Sequence, residues 1–133
     1  MPSERLLLQI AVAIGSLVPI GAGAAGIVLG PAMVDARAVT VAADSHYRYL
    51  SGLLLGIGIA FATTVPAIER RTARFRLLTA IVVAGGLGRL LSLVLRGAPD
   101  TPMVAALVME LMVTPALALW QSRVAARYRQ AEV

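Results

Sequence analysis

The chain contains no cysteine and no lysine, and it has a single histidine and a single tryptophan. Without cysteine there are no disulfides, no thiolate metal sites and no thiol nucleophiles, and redox compartment leaves no trace in the sequence. The lone His46 has no second His or Cys near it, so a metal centre completed by Asp35 or Asp44 is disfavoured and no metal or other cofactor is expected. Ser51 and Ser92 lack a histidine base at their own depth, which argues against a hydrolase triad. Charge is scarce too. Only 14% of the residues are charged against 59% hydrophobic, outside the range of a soluble domain of this length. The composition is that of a membrane protein.

What charge there is lies between apolar segments. All 12 basic residues are arginines, and they do not gather on one polar face as a nucleic-acid binder requires. They read instead as a topology signal.

Four apolar stretches are long enough to cross a hydrocarbon core, which takes about 20 helical residues. They cover residues 6–29, 47–66, 77–95 and 103–120, and together they predict a single all-α domain, a four-helix transmembrane bundle. The first stretch also resembles a secretory signal, with Arg5, an apolar run to Val18, and Ala22-Gly23-Ala24 as an A-x-A site. Its apolar character continues through Ile27-Val28-Leu29, so it is read as a span. Arg5, the cluster Arg70, Arg71, Arg74 and Arg76, and the trio Arg123, Arg127 and Arg129 fall on one side. By the positive-inside rule that side is the cytoplasm, so both termini are predicted to be cytoplasmic. The other side keeps Arg37, Arg48 and Arg96, offset by Asp35, Asp44 and Asp100. Asp44-Ser45 reads as an N-cap for the second helix, and Gly97 to Pro102 as a tight turn that starts the fourth.

Small residues should mark the helix interfaces, because lipid gives apolar helices no hydrophobic reason to associate. Candidate seams are Ala22, Gly26 and Gly30 on the first helix, Gly52 and Gly56 on the second, and Ala80, Ala84 and Gly88 on the third. Pro19 and Pro115 fall inside helices, where each removes a backbone hydrogen bond; Thr114 is placed to satisfy the carbonyl freed beside Pro115.

The stretch Gly85 to Leu95, GGLGRLLSLVL, puts Arg89 within an apolar span. An arginine at mid-depth costs at least about 2.5 kcal/mol unless it is paired or wet. Arg89 sits about 9 Å below the outer end of the third helix and Glu110 about 10 Å below the start of the fourth, at 1.5 Å per residue. A short turn joins these helices, so the two charges are predicted to pair, bidentately if the geometry allows. Gly85, Arg89, Ser92 and Arg96 follow helical spacing on one face of the third helix; Ala106, Glu110 and Thr114 do so on the fourth, and Arg48, Gly52 and Gly56 on the second. Arg48 is placed to reach down toward Glu110, with His46 above it, or to snorkel to the interface. The candidate ligand-binding or ion-pair residues are therefore Arg89, Glu110 and Arg48, supported by Gly52, Gly56, Ser92, Thr114 and His46. A purely structural Arg–Glu bridge that fixes helix register is the alternative.

Three stretches, HYRYLSGLLLGIG from His46 to Gly58, GGLGRLLSLVLRGAPD from Gly85 to Asp100 and MELMVTPALALWQ from Met109 to Gln121, resemble the small bacterial four-helix membrane proteins grouped as a domain of unknown function. These are loosely similar to DoxX-like proteins, which are associated with quinone-linked membrane complexes. The resemblance implies a multi-pass protein of the bacterial cytoplasmic (inner) membrane and carries no settled activity. The expected function is non-enzymatic: binding of membrane lipid or a small amphiphilic ligand in a cavity floored by Arg89 and Glu110, or service as an accessory subunit of a larger membrane complex. The alternative is a small homo-oligomeric transporter or channel using Glu110; a lipid-acting enzyme with that single carboxylate has a thin catalytic set. No nucleic-acid partner is expected.

Overall fold

The computed structural model describes residues 2–34 and 39–132. The expectations for Asp35 and Arg37 lie outside the described residues. Among the described residues every regular element is helical: α1 (Pro2–Leu29), a 3-10 turn (Gly30–Met33), α2 (Val41–Ala62), a second 3-10 turn (Val65–Arg70), α3 (Thr72–Arg96), α4 (Thr101–Val108), a π turn (Met109–Val113) and α5 (Thr114–Ala131). The last three run on as one apolar span, Thr101–Ala131.

Most of these helices extend past the apolar stretches. Helix α1 starts at Pro2 rather than residue 6, α3 at Thr72 rather than 77, and α5 continues to Ala131 beyond residue 120. Hydropathy ends where the hydrocarbon would end, whereas Ala, Glu, Gln and Arg go on forming helix in the polar layer. Helix α2 begins six residues before the expected 47, because Thr40 is its N-cap and accepts from the Ala43 N–H at 3.2 Å. Asp44 therefore lies in the first turn and does not cap. The helix stops at Ala62 rather than 66. There Thr63 and Thr64 turn their hydroxyls onto the Ala60 and Phe61 carbonyls, both at 2.6 Å, and Pro66 disfavours helical backbone at the residue before it.

Among the described residues, three helices are long and apolar enough to cross a membrane: Ser3–Met33, Thr72–Arg96 and Thr101–Ala131. Only 22%, 17% and 0% of their apolar windows are buried within the chain, so the chain itself leaves faces such as Leu6, Ile14 and Leu17 on α1 or Leu91, Val94 and Leu95 on α3 uncovered. These features point to a membrane protein. Helix α2 falls short of the same test, since Asp44, Ser45, His46, Tyr47, Arg48 and Tyr49 make its first turns polar and leave an apolar run only from Leu50 onward.

The chain divides into two compact units: Gln9–Val65, and Pro66 onward together with the start of α1 as far as Leu8. In the first unit α1 and α2 approach at backbone distance. A Cβ at Gly23 would lie 2.5 Å from the Leu55 nitrogen, one at Gly26 would collide with the Ser51 side chain, and one at Gly58 would lie 2.9 Å from the Ile20 nitrogen, beside the Pro19 break. The seam is thus Gly23, Gly26 and Gly30 against Ser51 and Gly58. Ala22 is replaced by its neighbour, and Gly52 and Gly56 are not part of the close contact: Gly52 meets only the tip of Ile27 at 4.0 Å, and nothing lies within 4 Å of a side chain built at Gly56.

In the second unit the best-buried side chains are Leu8, Ile68, Phe75, Val124 and Ala125, all at most 2% exposed. They lie at the arginine-rich end, where Gln121 is also fully buried and donates to the Ile68 carbonyl (2.7 Å) and Thr72 Oγ1 (2.9 Å). Its Oε1 has no partner among the described residues. Arg5 pairs with Glu69 at 2.8 Å, donates to the Pro66 carbonyl at 3.0 Å and stacks 5.9 Å over the Tyr128 ring. Glu4 pairs with Arg127, and Arg70 with Glu132 at 3.2 Å.

Candidate functional site

The α3–α4 hairpin is built by a glycine and an aspartate. Gly97 adopts φ +94°, open to glycine at no steric cost, and its N–H closes the last turn of α3 on the Leu93 carbonyl. Asp100 starts α4 by accepting through its carbonyl from Met103 and Val104 N–H, with Pro102 in the first turn where its missing N–H costs nothing.

Glu110 sits in the π turn. Pro115 has no N–H to return to the Leu111 carbonyl, so the helix there cannot keep regular α bonding. Thr114 resolves the break by giving both its N–H and its hydroxyl to the Met109 carbonyl, the latter at 2.8 Å. One residue is thereby accommodated in excess of a regular turn, which swings Glu110 and Leu111 against α3. Gly86 makes the room: a Cβ there would lie 2.9 Å from the Glu110 Cβ and 2.8 Å from Leu111 Cδ2.

Arg89, one turn beyond Gly86, meets Glu110 with a two-pronged contact. Its Nε donates to Oε2 at 3.0 Å and its Nη2 to Oε1 at 3.1 Å. Such parallel charge-assisted bonds are among the strongest side-chain contacts available. The pair is not sealed, because the Arg89 side chain is 32% exposed and that of Glu110 18%. The remaining guanidinium nitrogen, Nη1, faces Met103 Sδ at 3.0 Å. A thioether is a weak acceptor, so this edge of the cation is poorly satisfied.

The other expected residues are distributed differently. Arg48 spends its donors inside the α1–α2 unit: Nε on Asp44 at 2.9 Å, and Nη1 on the Ile27 and Val28 carbonyls, the latter at 3.2 Å. Those carbonyls are among the last of α1 and have no helical N–H ahead of them, so Arg48 caps the helix C-terminus. Gly30 completes the cap at φ +65°, with the Arg48 guanidinium against its α-carbon. His46 and Ser92 are exposed, and Thr114 is committed to the π turn. Among the described residues no group of three or more His, Asp or Glu could hold a metal ion.

Sequence reasoning missed Gly86, Met103 and the π turn. Gly86 was hidden by its neighbours, since Gly85 and Gly88 are equally small yet meet nothing within 4 Å. The Thr114-Pro115 pair was the one readable sign of the turn.

No curated protein and no solved structure matches the chain. Residues 7–121 match the family described as Domain of unknown function (DUF4345), which spans the hairpin and both charges, and the chain belongs to that family.

Proposed function

We propose that this chain is a bacterial inner-membrane protein of four spans with both termini in the cytoplasm, and that the Arg89–Glu110 pair is the floor of a binding site for the head group of a small amphiphile. The observation that carries the reading is the Nη1 edge of Arg89, which among the described residues has only the Met103 sulfur as acceptor. An amphiphile with a carbonyl or phosphate oxygen offers that edge a far better partner than a thioether does. Glu110 meanwhile cancels the charge, so a neutral carbonyl head group is accommodated without a net ion in the span. The role is non-enzymatic: a single carboxylate committed to a guanidinium is a thin catalytic set.

The test is native mass spectrometry of detergent-purified protein, with short-chain phosphatidylethanolamine and a short-chain benzoquinone as added probes. Wild-type protein is expected to hold one of them, and the charge-neutral Arg89→Gln/Glu110→Gln double variant to lose it while keeping its helical circular dichroism. Equal retention by both proteins overturns the site. For topology, the absence of native cysteine leaves no labelling background. Ala98→Cys is expected to react with an impermeant maleimide from outside intact cells and Ala73→Cys only after permeabilisation.

The π turn favours a second reading, a small oligomeric transporter working through Glu110, because such turns occur frequently at functional sites. That activity requires the carboxylate to leave Arg89 during the cycle. Liposome flux indifferent to Glu110→Gln removes it.

A further inference from the structure

The net charge of the chain is concentrated at one end of one unit. Arg37, Arg48, Arg89 and Arg96 are balanced by Asp35, Asp44, Asp100 and Glu110, so the whole formal charge of +5 falls on the set Arg5, Arg70, Arg71, Arg74, Arg76, Arg123, Arg127 and Arg129 with Glu4, Glu69 and Glu132. The three acids are all taken: Glu69 by Arg5, Glu132 by Arg70 and Glu4 by Arg127. Arg71, Arg76, Arg123 and Arg129 are exposed and have no carboxylate partner among the described residues.

Two of these four stand beside lipid-facing leucines. Arg76 precedes Leu77, which is 62% exposed, on the first turns of α3; Arg123 follows Leu119, 66% exposed, one helical turn later on α5. Arg76 Nη2 donates to Ser122 Oγ at 3.3 Å, which sets the basic stretch of α3 beside that of α5. Uncompensated guanidinium and exposed aliphatic surface thus adjoin on both helices, at the level where an apolar span gives way to a polar one. We propose that this rim binds an anionic glycerophospholipid, its phosphate between Arg76 and Arg123 and its acyl chains over Leu77 and Leu119. A free phosphate fits the arginines but leaves the leucines without an occupant, so the adjoining apolar surface assigns the ligand to the membrane. Charge placed for topology alone orients the chain and carries no preference for a head group, whereas a rim of this kind retains one.

The experiment reconstitutes full-length protein in nanodiscs of equal phosphatidylglycerol and phosphatidylcholine, extracts it gently, and counts the lipids retained by mass spectrometry. Wild-type protein is expected to keep phosphatidylglycerol over phosphatidylcholine. The preference should fall about tenfold in Arg76→Gln/Arg123→Gln and persist in Arg37→Gln/Arg96→Gln, which removes the same number of charges from the set that acids balance. Equal retention of the two lipids by wild-type protein, an unchanged preference in the Arg76/Arg123 variant, or an equal fall in the Arg37/Arg96 variant overturns the proposal. So does displacement of the lipid by millimolar inorganic phosphate, which would mark a site for the free anion. A salt series on wild-type protein reads the same contact without any variant: a preference unaltered between about 50 mM and about 500 mM NaCl contradicts a phosphate–guanidinium contact.

Discussion

Removing one member of the Arg89–Glu110 pair is predicted to cost more than removing both. Breaking a buried ion pair from one side costs about 3–5 kcal/mol, because the survivor is left charged in a poor solvent, whereas replacing both partners by apolar residues is close to neutral. With Arg89 still 32% and Glu110 18% exposed, water or head groups reach part of the pair, and the lower end applies. Glu110→Leu and Arg89→Leu should each destabilise by about 3 kcal/mol, and the double variant by about 1 kcal/mol or less. The singles then sum to about 6 kcal/mol, and the coupling is about 5 kcal/mol. Unfolding by dodecyl sulfate in mixed micelles measures this, followed by the fluorescence of Trp120, the one tryptophan in the chain. A double variant as unstable as the sum of the singles refutes the reasoning, since the two side chains would then be contributing independently.

Three further outcomes are expected. Gly86→Ala drives a methyl to within 2.9 Å of Glu110 Cβ and Leu111 Cδ2, and should destabilise by about 1–3 kcal/mol in the same assay, whereas Gly85→Ala and Gly88→Ala, with nothing nearby, should not. Gly30→Ala meets both a left-handed backbone at φ +65° and the Arg48 guanidinium; a loss of about 1–2 kcal/mol is expected, and it should persist in an Arg48→Ala background, where only the steric part is relieved. For Glu69, burial pushes the carboxyl pKa up, but its own backbone N–H and the Arg5 guanidinium outweigh that and leave it below the ordinary value. A depressed folded pKa contributes stability above the ordinary glutamate range and loses it as pH falls through the folded value; thermal midpoints of wild-type protein and Glu69→Gln should therefore converge in acid and separate toward neutrality.

Depth arithmetic along two helices joined by a short turn was enough to bring Arg89 and Glu110 together, because rise per residue is fixed and such a turn leaves the hairpin no freedom of register. The same arithmetic is silent about rotation. Whether Gly85, Gly86 or Gly88 faces the partner differs by about 100° per residue, and the π turn changes that phase at the very place where the acid sits. Arg48 shows a second limit. Its spacing to Gly52 and Gly56 suggested a shared polar face, but the bare carbonyls at the end of α1 are a nearer demand on a guanidinium than any ligand. Helix α2 shows a third: Asp44-Ser45 reads as its cap, yet Thr40, outside the apolar pattern, is what starts the helix.

A turn that holds one residue too many acts as a phase shifter between the two halves of its helix. The residues ahead of Glu110 and the arginines after Trp120 would fall out of step if the turn relaxed to regular α geometry, which would carry the carboxylate about a quarter-turn around the axis. Contact with Arg89 and the azimuth of the distal, arginine-bearing half are therefore set by one irregularity, and a single-residue deletion between Met109 and Val113 would remove the very excess that the turn accommodates.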